Sequence, residues 1–354
     1  MRRPWVALTA GDPCGIGPEV ILKALAHPPR GACLAVIGDL PVFERTARRL
    51  GRPLPRWRAV RPGSAWPAAP LLFLDLARRP PAVPGKPTAA DGAAALAYLD
   101  AAMRLARRGR VDALVTGPVT KQAVALVAPG FVGQTEHLAR GLRARGVVML
   151  FVAGRIRVAL LTRHLPLRDV PRAVTRPLLA SAARRVDEAL RRQFGLRHPR
   201  LAVCGLNPHA GEGSAASEER RVVEPFLRRL RREGFRCDGP FAADGFFARR
   251  PGHPAGRATE FDAVLCPYHD QGLVAFKLLA GGRGCQMSVG LPVIRTSPDH
   301  GTGLDIAGKG LASPASMRYA LRLAIRLARK SGTGTDFHAS DTRKSVPVPD
   351  FPAC

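Results

Sequence analysis

Leu201-Ala202-Val203-Cys204-Gly205-Leu206-Asn207-Pro208-His209 carries the reading of the fold. A short run rich in Val and Leu, stopped by Asn-Pro, reads as a buried parallel strand. A histidine stands just past its end. The arrangement recurs twice: His164 follows Val158-Ala159-Leu160-Leu161, and His269 follows Phe261-Asp262-Ala263-Val264-Leu265-Cys266. In open α/β sheets, ligands bind outside the carboxyl ends of the strands. The three imidazoles are therefore expected to point into one crevice. Three neutral imidazoles with an open coordination position suit a catalytic divalent metal. Any single one also reads as a loop histidine with a hydrogen-bond partner. Repetition at three equivalent places argues against that for the set.

Outward from this core, strand-like and helix-like segments alternate. Val6–Ala10, Cys33–Ile37, Asp112–Val115 and Val289–Thr296 read as strands, and Leu71–Leu76 is apolar. Val147–Val152 and Arg157–Leu161 lie close enough to form an antiparallel or edge pair. Helices are expected at Pro18–Ala26, Val42–Leu50, Ala89–Arg107, Glu136–Arg145, Thr175–Arg192, Ser217–Arg232 and Ala315–Ala328. Residues 51–70, rich in Pro and Arg, read as irregular. Such βα alternation predicts an α/β fold, a mostly parallel sheet with helices on both faces. Residues 1–330 are expected to form one unit of two interleaved lobes with the site in the cleft between them. Residues 331–354 lack periodicity and are expected to be a disordered tail.

The bulk numbers narrow the class. The chain has 354 residues, 46% hydrophobic, with 55 Lys and Arg against 27 Asp and Glu, a net charge of +28. Such a surplus suits phosphate-rich partners. Yet the Arg residues are spread along helices in doublets such as Arg184-Arg185, Arg191-Arg192 and Arg228-Arg229, with no long basic block. Solvated helix faces and attraction for anionic substrates fit that dispersion better than a nucleic-acid partner. No apolar stretch reaches the ~18 residues that a membrane helix needs. The apolar part of Trp5–Ala10 is too short for a signal peptide, and a cytoplasmic protein is expected. Seven scattered cysteines, with no Cys-x-x-Cys, form neither a disulfide framework nor a thiolate zinc site.

Four stretches carry chemistry. Gly11-Asp12-Pro13-Cys14-Gly15-Ile16-Gly17-Pro18-Glu19 links the first strand to its helix and lets backbone approach an anion. It also fits a plain tight turn. Asn207-Pro208-His209-Ala210-Gly211-Glu212-Gly213 and Pro267-Tyr268-His269-Asp270-Gln271-Gly272 place His beside acidic residues after strands. Asp270 can orient an imidazole or ligate. The Gly-rich stretch from Arg295 to Gly310 is long enough to be functional. Arg295, at a strand end, can clamp a phosphate or carboxylate bidentately, or serve as a surface ion pair.

Together these motifs, with Gly-Leu-Pro-x-Ile-Arg-Thr-Ser-x-Asp-His-Gly-Thr at 290–302, resemble the 4-hydroxythreonine-4-phosphate dehydrogenases of pyridoxal phosphate synthesis. The resemblance runs from about Val6 to Ala328. It implies the fold of isocitrate and isopropylmalate dehydrogenases, and Asp305–Pro314 resembles their nucleotide-binding loop. It implies metal-dependent oxidation and decarboxylation of 4-phosphohydroxy-L-threonine to 3-amino-2-oxopropyl phosphate. NAD or NADP and one divalent ion (zinc, magnesium or cobalt) are the implied cofactors, and a homodimer with its site near the interface the implied assembly. His164, His209 and His269 fall on the metal ligands. Thr135, Lys277 and Arg295 fall on substrate-binding positions. Gly205, Asn207, His300, Gly301, Thr302 and Asp305 are expected on the nucleotide side. Lys121, Asp244 and Asp270 are candidates for the proton acceptor.

Two departures bear on substrate. Gln134 stands where the family has His, and Gln286 where it has Asn, both at phosphate-contacting positions. A glutamine can hydrogen-bond but cannot carry an imidazolium's charge. A paralogue acting on another phosphorylated hydroxy acid, such as 4-phosphothreonate or 4-phosphoerythronate, is the alternative. A phosphate acyltransferase of related fold and a basic nucleic-acid-binding protein are the readings from other classes.

Overall fold

The computed structural model describes residues 2–249 and 260–330. The tail expected at 331–354 lies outside them. The described chain forms two compact units.

The first unit runs to Ala144 and resumes at Arg283–Met287 and from Leu291. Its elements begin with β1 (Trp5–Thr9), α1 (Gly17–Leu25), β2 (Cys33–Gly38), α2 (Leu40–Arg49), β3 (Arg58–Val60) and β4 (Leu71–Asp75). They continue with α3 (Ala89–Arg107), β5 (Ala113–Thr116), α4 (Lys121–Ala125) and α5 (Gln134–Gly141). The second unit holds β6 (Val148–Ala153), β7 (Ile156–Leu160), α6 (Val170–Ala173), α7 (Arg176–Arg192), β8 (Arg200–Cys204) and α8 (Glu224–Arg232). After these come β9 (Arg236–Phe241), α9 (Ala243–Ala248), β10 (Ala263–Cys266) and α10 (His269–Ala280). The chain then returns to the first unit through β11 (Cys285–Val289), β12 (Ile294–Pro298) and α11 (Ala315–Lys330).

In the first unit the strand order is β3-β4-β2-β1-β5-β12-β11, parallel except for β11 against β12. In the second it is β6-β7-β10-β8-β9, parallel except for β6 against β7. Central strand β5 is buried along its length and β1 at all but Trp5, which is why they read as apolar runs rather than alternating ones. Phe151, Val158, Phe246, Phe261 and Phe276 fill the core of the second unit. Helix α3 opens with a capping box: Thr88 accepts from the Asp91 amide and the Asp91 carboxylate accepts from Thr88.

Several expectations change. Val289–Thr296 is not one strand but the end of β11, a turn at Gly290 (φ 97°), and the start of β12. The apolar residues continue through the turn, so hydropathy hides the reversal. The helix expected at Ser217–Arg232 opens with a π-helical turn at Glu219–Val223 before α8. Residues 51–70 contain the short strand β3. Strand β9, Arg-Cys-Asp-Gly-Pro-Phe, has no alternation to reveal it. It is an edge strand, where Pro is tolerated.

The Arg doublets lie on helix faces among carboxylates. Arg184 and Arg229 both reach Glu233 (2.7 and 2.8 Å), and Arg185 and Arg192 both reach Glu188 (3.3 Å each). Arg191 bonds Asp187 at 2.6 Å, and Arg228 stands 3.5 Å from Glu224.

Candidate active site

In the first unit, Arg295 projects from β12 beside the end of β5. Register brings Arg295 opposite Leu114, so Thr116 lies just beyond. The guanidinium is 2% exposed and donates through Nε and Nη2 to Thr116 Oγ1 (3.2 and 2.6 Å). Nη1 donates to Thr135 Oγ1 at 3.3 Å and to Gln286 Oε1 at 2.6 Å. Gln286 pairs across the strands with Ser297, whose hydroxyl also donates to Oε1 at 2.8 Å. Burial pulls the Arg295 pKa down to about 10, against the pull of Glu136, so the group stays charged at neutral pH. Gln134 opens α5 and donates to the Gly117 carbonyl at 3.0 Å, while its Oε1 is buried with no partner. Of the five expected substrate residues, Thr135 and Gln286 thus bond the buried Arg295, and Gln134 precedes Thr135 at the start of α5. The fifth, Lys277, is exposed on α10 in the second unit.

In the second unit, two of the three histidines meet. His164, past β7, and His269, the first residue of α10, have ring centroids 5.9 Å apart. His269 Nδ1 is 2.6 Å from Asp270 Oδ1, which leaves Nε2 as the nitrogen able to face an ion. His209 is exposed on a turn and holds a left-handed φ of 52°. Among the described residues, no group of three His, Cys, Asp or Glu side chains is gathered tightly enough to hold a metal.

Sequence reading missed Glu219. Its side chain is fully buried and accepts the amides of Leu206 (2.6 Å) and Asn207 (2.8 Å). Burial alone would raise its pKa, but the hydrogen bonds from Asn207 and Leu206 outweigh it and the carboxyl is held below the usual range. The one signal was an acid twelve residues past Asn207 at the head of a helix. Asn207 gives both amide hydrogens away, to Glu218 at 2.8 Å and Glu219 at 2.9 Å. Gly205, also expected on the nucleotide side, offers its carbonyl to Gln271 at 2.7 Å.

The first motif and the last loop meet. Ile16 N–H donates to the Thr302 carbonyl at 2.9 Å, and a Cβ at Gly15 would fall 2.8 Å from that oxygen. Thr302 Oγ1 is 3.4 Å from Thr120 Oγ1. Lys23 bonds Glu19 and the carbonyls of Gly310 and Ala312, each at 2.8 Å, which fastens the loop beyond Asp305 to α1. His300 Nδ1 is 2.9 Å from the Gly301 carbonyl, and its Nε2 is buried without a partner. Gly301 and Asp305 are exposed. Of the proton-acceptor candidates, Lys121 begins α4 and Asp244 lies on α9, both exposed, while Asp270 is engaged with His269.

The family model for pyridoxal phosphate biosynthetic protein PdxA matches residues 31–324. The chain belongs to the PdxA family. A 4-hydroxythreonine-4-phosphate dehydrogenase of Chromobacterium violaceum is 42% identical over 333 residues, 94% of this chain and 99% of the relative. The crystal structure of the Klebsiella pneumoniae 4-hydroxythreonine-4-phosphate dehydrogenase matches with a TM-score of 0.79 at 33% identity, covering 92% of this chain and 99% of that one. A terephthalate 1,2-cis-dihydrodiol dehydrogenase from Burkholderia xenovorans matches with a TM-score of 0.60 at 34% identity, covering 92% and 98%. Membership of the PdxA family agrees with the mostly parallel α/β architecture and with the motifs that surround Arg295 and the histidines.

Proposed function

We propose that this PdxA-family chain oxidises and decarboxylates 4-phosphohydroxy-L-threonine to 3-amino-2-oxopropyl phosphate, in pyridoxal phosphate synthesis. The buried, charged Arg295 among Thr116, Thr135 and Gln286 carries the reading. A buried guanidinium pre-oriented by hydroxyl and amide oxygens is a sound anchor for a phosphate dianion. Anchoring that end, together with Gln134 and Thr135, positions the substrate's secondary alcohol for reaction.

The donor chemistry of the second unit suits a divalent metal. His164 and His269 stand together, and Asp270 fixes the His269 ring by its other nitrogen. His164, His209 and His269 would hold zinc, magnesium or cobalt, which supplies Lewis acidity toward the alcohol and the carboxylate. NAD or NADP would lie along Gly15 and the stretch from His300 to Asp305, and supplies the hydride acceptor. The buried, unpartnered His300 Nε2 and the close Gly15–Thr302 approach support that placement. The hydroxyl proton passes to Lys121 or Asp244; Asp270 is committed to His269. Exposed Val274 (60%) and Leu278 (80%) share α10 with His269 and Lys277 and support a homodimer that covers this face.

Incubating purified protein with this substrate, NAD or NADP, and each metal in turn tests the reading through reduced nicotinamide and released carbon dioxide. Absence of both products would overturn it. A second reading, a paralogue acting on another phosphorylated hydroxy acid, is favoured by one observation. Gln286 turns its carbonyl to Arg295 and Ser297, a different use of the position from direct phosphate contact. 4-Phosphothreonate and 4-phosphoerythronate in the same assay separate the two.

A further inference from the structure

We infer that Glu219 is the positioning residue of the His209 turn and sets where that imidazole stands relative to His269. The inference rests on the reading that these histidines hold a divalent ion. Glu219 is 0% exposed. Its Oε1 accepts the amides of Leu206 and Asn207 at 2.6 and 2.8 Å, and its Oε2 accepts Asn207 Nδ2 at 2.9 Å. The carboxylate therefore lies inside the turn that follows β8. Glycines line it on two sides. A Cβ at Gly205 would come within 3.0 Å of Oε1, and one at Gly211 within 2.4 Å of Oε2.

The turn needs such a brace. His209 and Ala210 hold φ values of 52° and 54°, a region that residues with a Cβ rarely occupy. Backbone in that state persists only where its surroundings over-determine it. Charge-assisted bonds from consecutive amides to a buried carboxylate do this. Those same bonds compensate the carboxylate for its lost water. The π-helical turn at Glu219–Val223 starts at this residue, where the helix gives up regular pitch. The link to His269 runs through Gln271, whose Nε2 donates to the Gly205 carbonyl at 2.7 Å. One turn is thus pinned from below by Glu219 and from the side by the helix that begins at His269.

The test titrates the full-length protein with zinc alone, followed by calorimetry, for wild type and Glu219→Gln, with circular dichroism to show that each is folded. Glu219→Asp, which keeps the charge on a shorter arm, is the second variant. Leu230→Ala is the control, since Leu230 is buried in α8 and its loss lowers stability through a cavity. Glu219→Gln is expected to weaken zinc roughly tenfold to a hundredfold, the usual range for residues that orient a ligand. Glu219→Asp should fall between it and wild type, and Leu230→Ala should lower Tm while leaving zinc affinity unchanged. In turnover, kcat should fall in Glu219→Gln while KM holds, because the Arg295 cradle is untouched. Wild-type affinity in a folded Glu219→Gln would overturn the inference and leave the metal reading standing. Equal weakening in Leu230→Ala would overturn it too, as affinity would then track stability alone. Failure of wild type to bind zinc, or cobalt or magnesium in its place, would overturn the metal reading and this inference with it.

Discussion

Under the proposed function, Arg295 is the residue that anchors the substrate's phosphate. Arg295→Lys keeps a positive charge but loses the planar fork that Thr116, Thr135 and Gln286 orient. Losing one charge-assisted bond costs about 1.5–3 kcal/mol, so KM for the phosphorylated substrate should rise about tenfold to a hundredfold with a smaller change in kcat. Steady-state kinetics checks this. Since burial sets the Arg295 pKa at about 10, phosphate affinity should hold through neutral pH and fall as pH rises through that value. Inhibition by inorganic phosphate, followed from neutral to alkaline pH, reads it out. Gln134→His with Gln286→Asn should shift kcat/KM toward 4-phosphohydroxy-L-threonine by about tenfold to a hundredfold, because one charge-assisted bond becomes available. An unchanged kcat/KM would mean the two glutamines are neutral for this substrate. Arg295 was legible in the sequence because it ends an apolar run. Glu219 was not, because it joins its partners through backbone amides, and amides leave no mark in the side-chain pattern.

At the scale of elements, α10 shows what close packing asks of a sequence. A Cβ at Gly272 would fall 2.7 Å from Val158 Cγ1 and 3.1 Å from Leu160 Cδ2. Gly272→Ala therefore pushes the helix off β7 and moves His269 with it. Overpacking of this kind costs about 1–3 kcal/mol. Thermal unfolding should show a Tm lower by several degrees, with turnover reduced further than stability alone explains. The alternation of strands and helices was readable because buried parallel strands are apolar throughout. The β11–β12 hairpin escaped because its turn residues are as apolar as its strands, and only Gly290 marks the reversal. Strand β9 escaped for the opposite reason, as an edge strand with too little apolar content to register.

For the molecule as a whole, a charge of +28 invites a nucleic-acid reading that the distribution of that charge opposes. The three Arg doublets each face carboxylates on their own helices or a neighbour. Duplex DNA should therefore bind weakly at physiological salt, with no single protected face. A fluorescence-anisotropy titration at two salt concentrations checks this, and tight binding with a steep salt slope would count against it. Among the described residues, no helix is long and apolar enough to cross a membrane.

The interleaving of the two units has a consequence for biosynthesis. The first unit to emerge from the ribosome is the last to be finished. Its strand β12 lies between β5 and β11, inside the sheet, yet it is translated only after the whole of the second unit's described strands. Until then β5 has an open edge, the kind of surface that recruits the wrong strand. A chain stalled after Gly282 should accordingly resist protease over 145–249 and remain sensitive over 2–144. Release of the remaining residues should protect both. Early fragments that aggregate should be those ending before β12, and chaperone demand should peak in that window of translation.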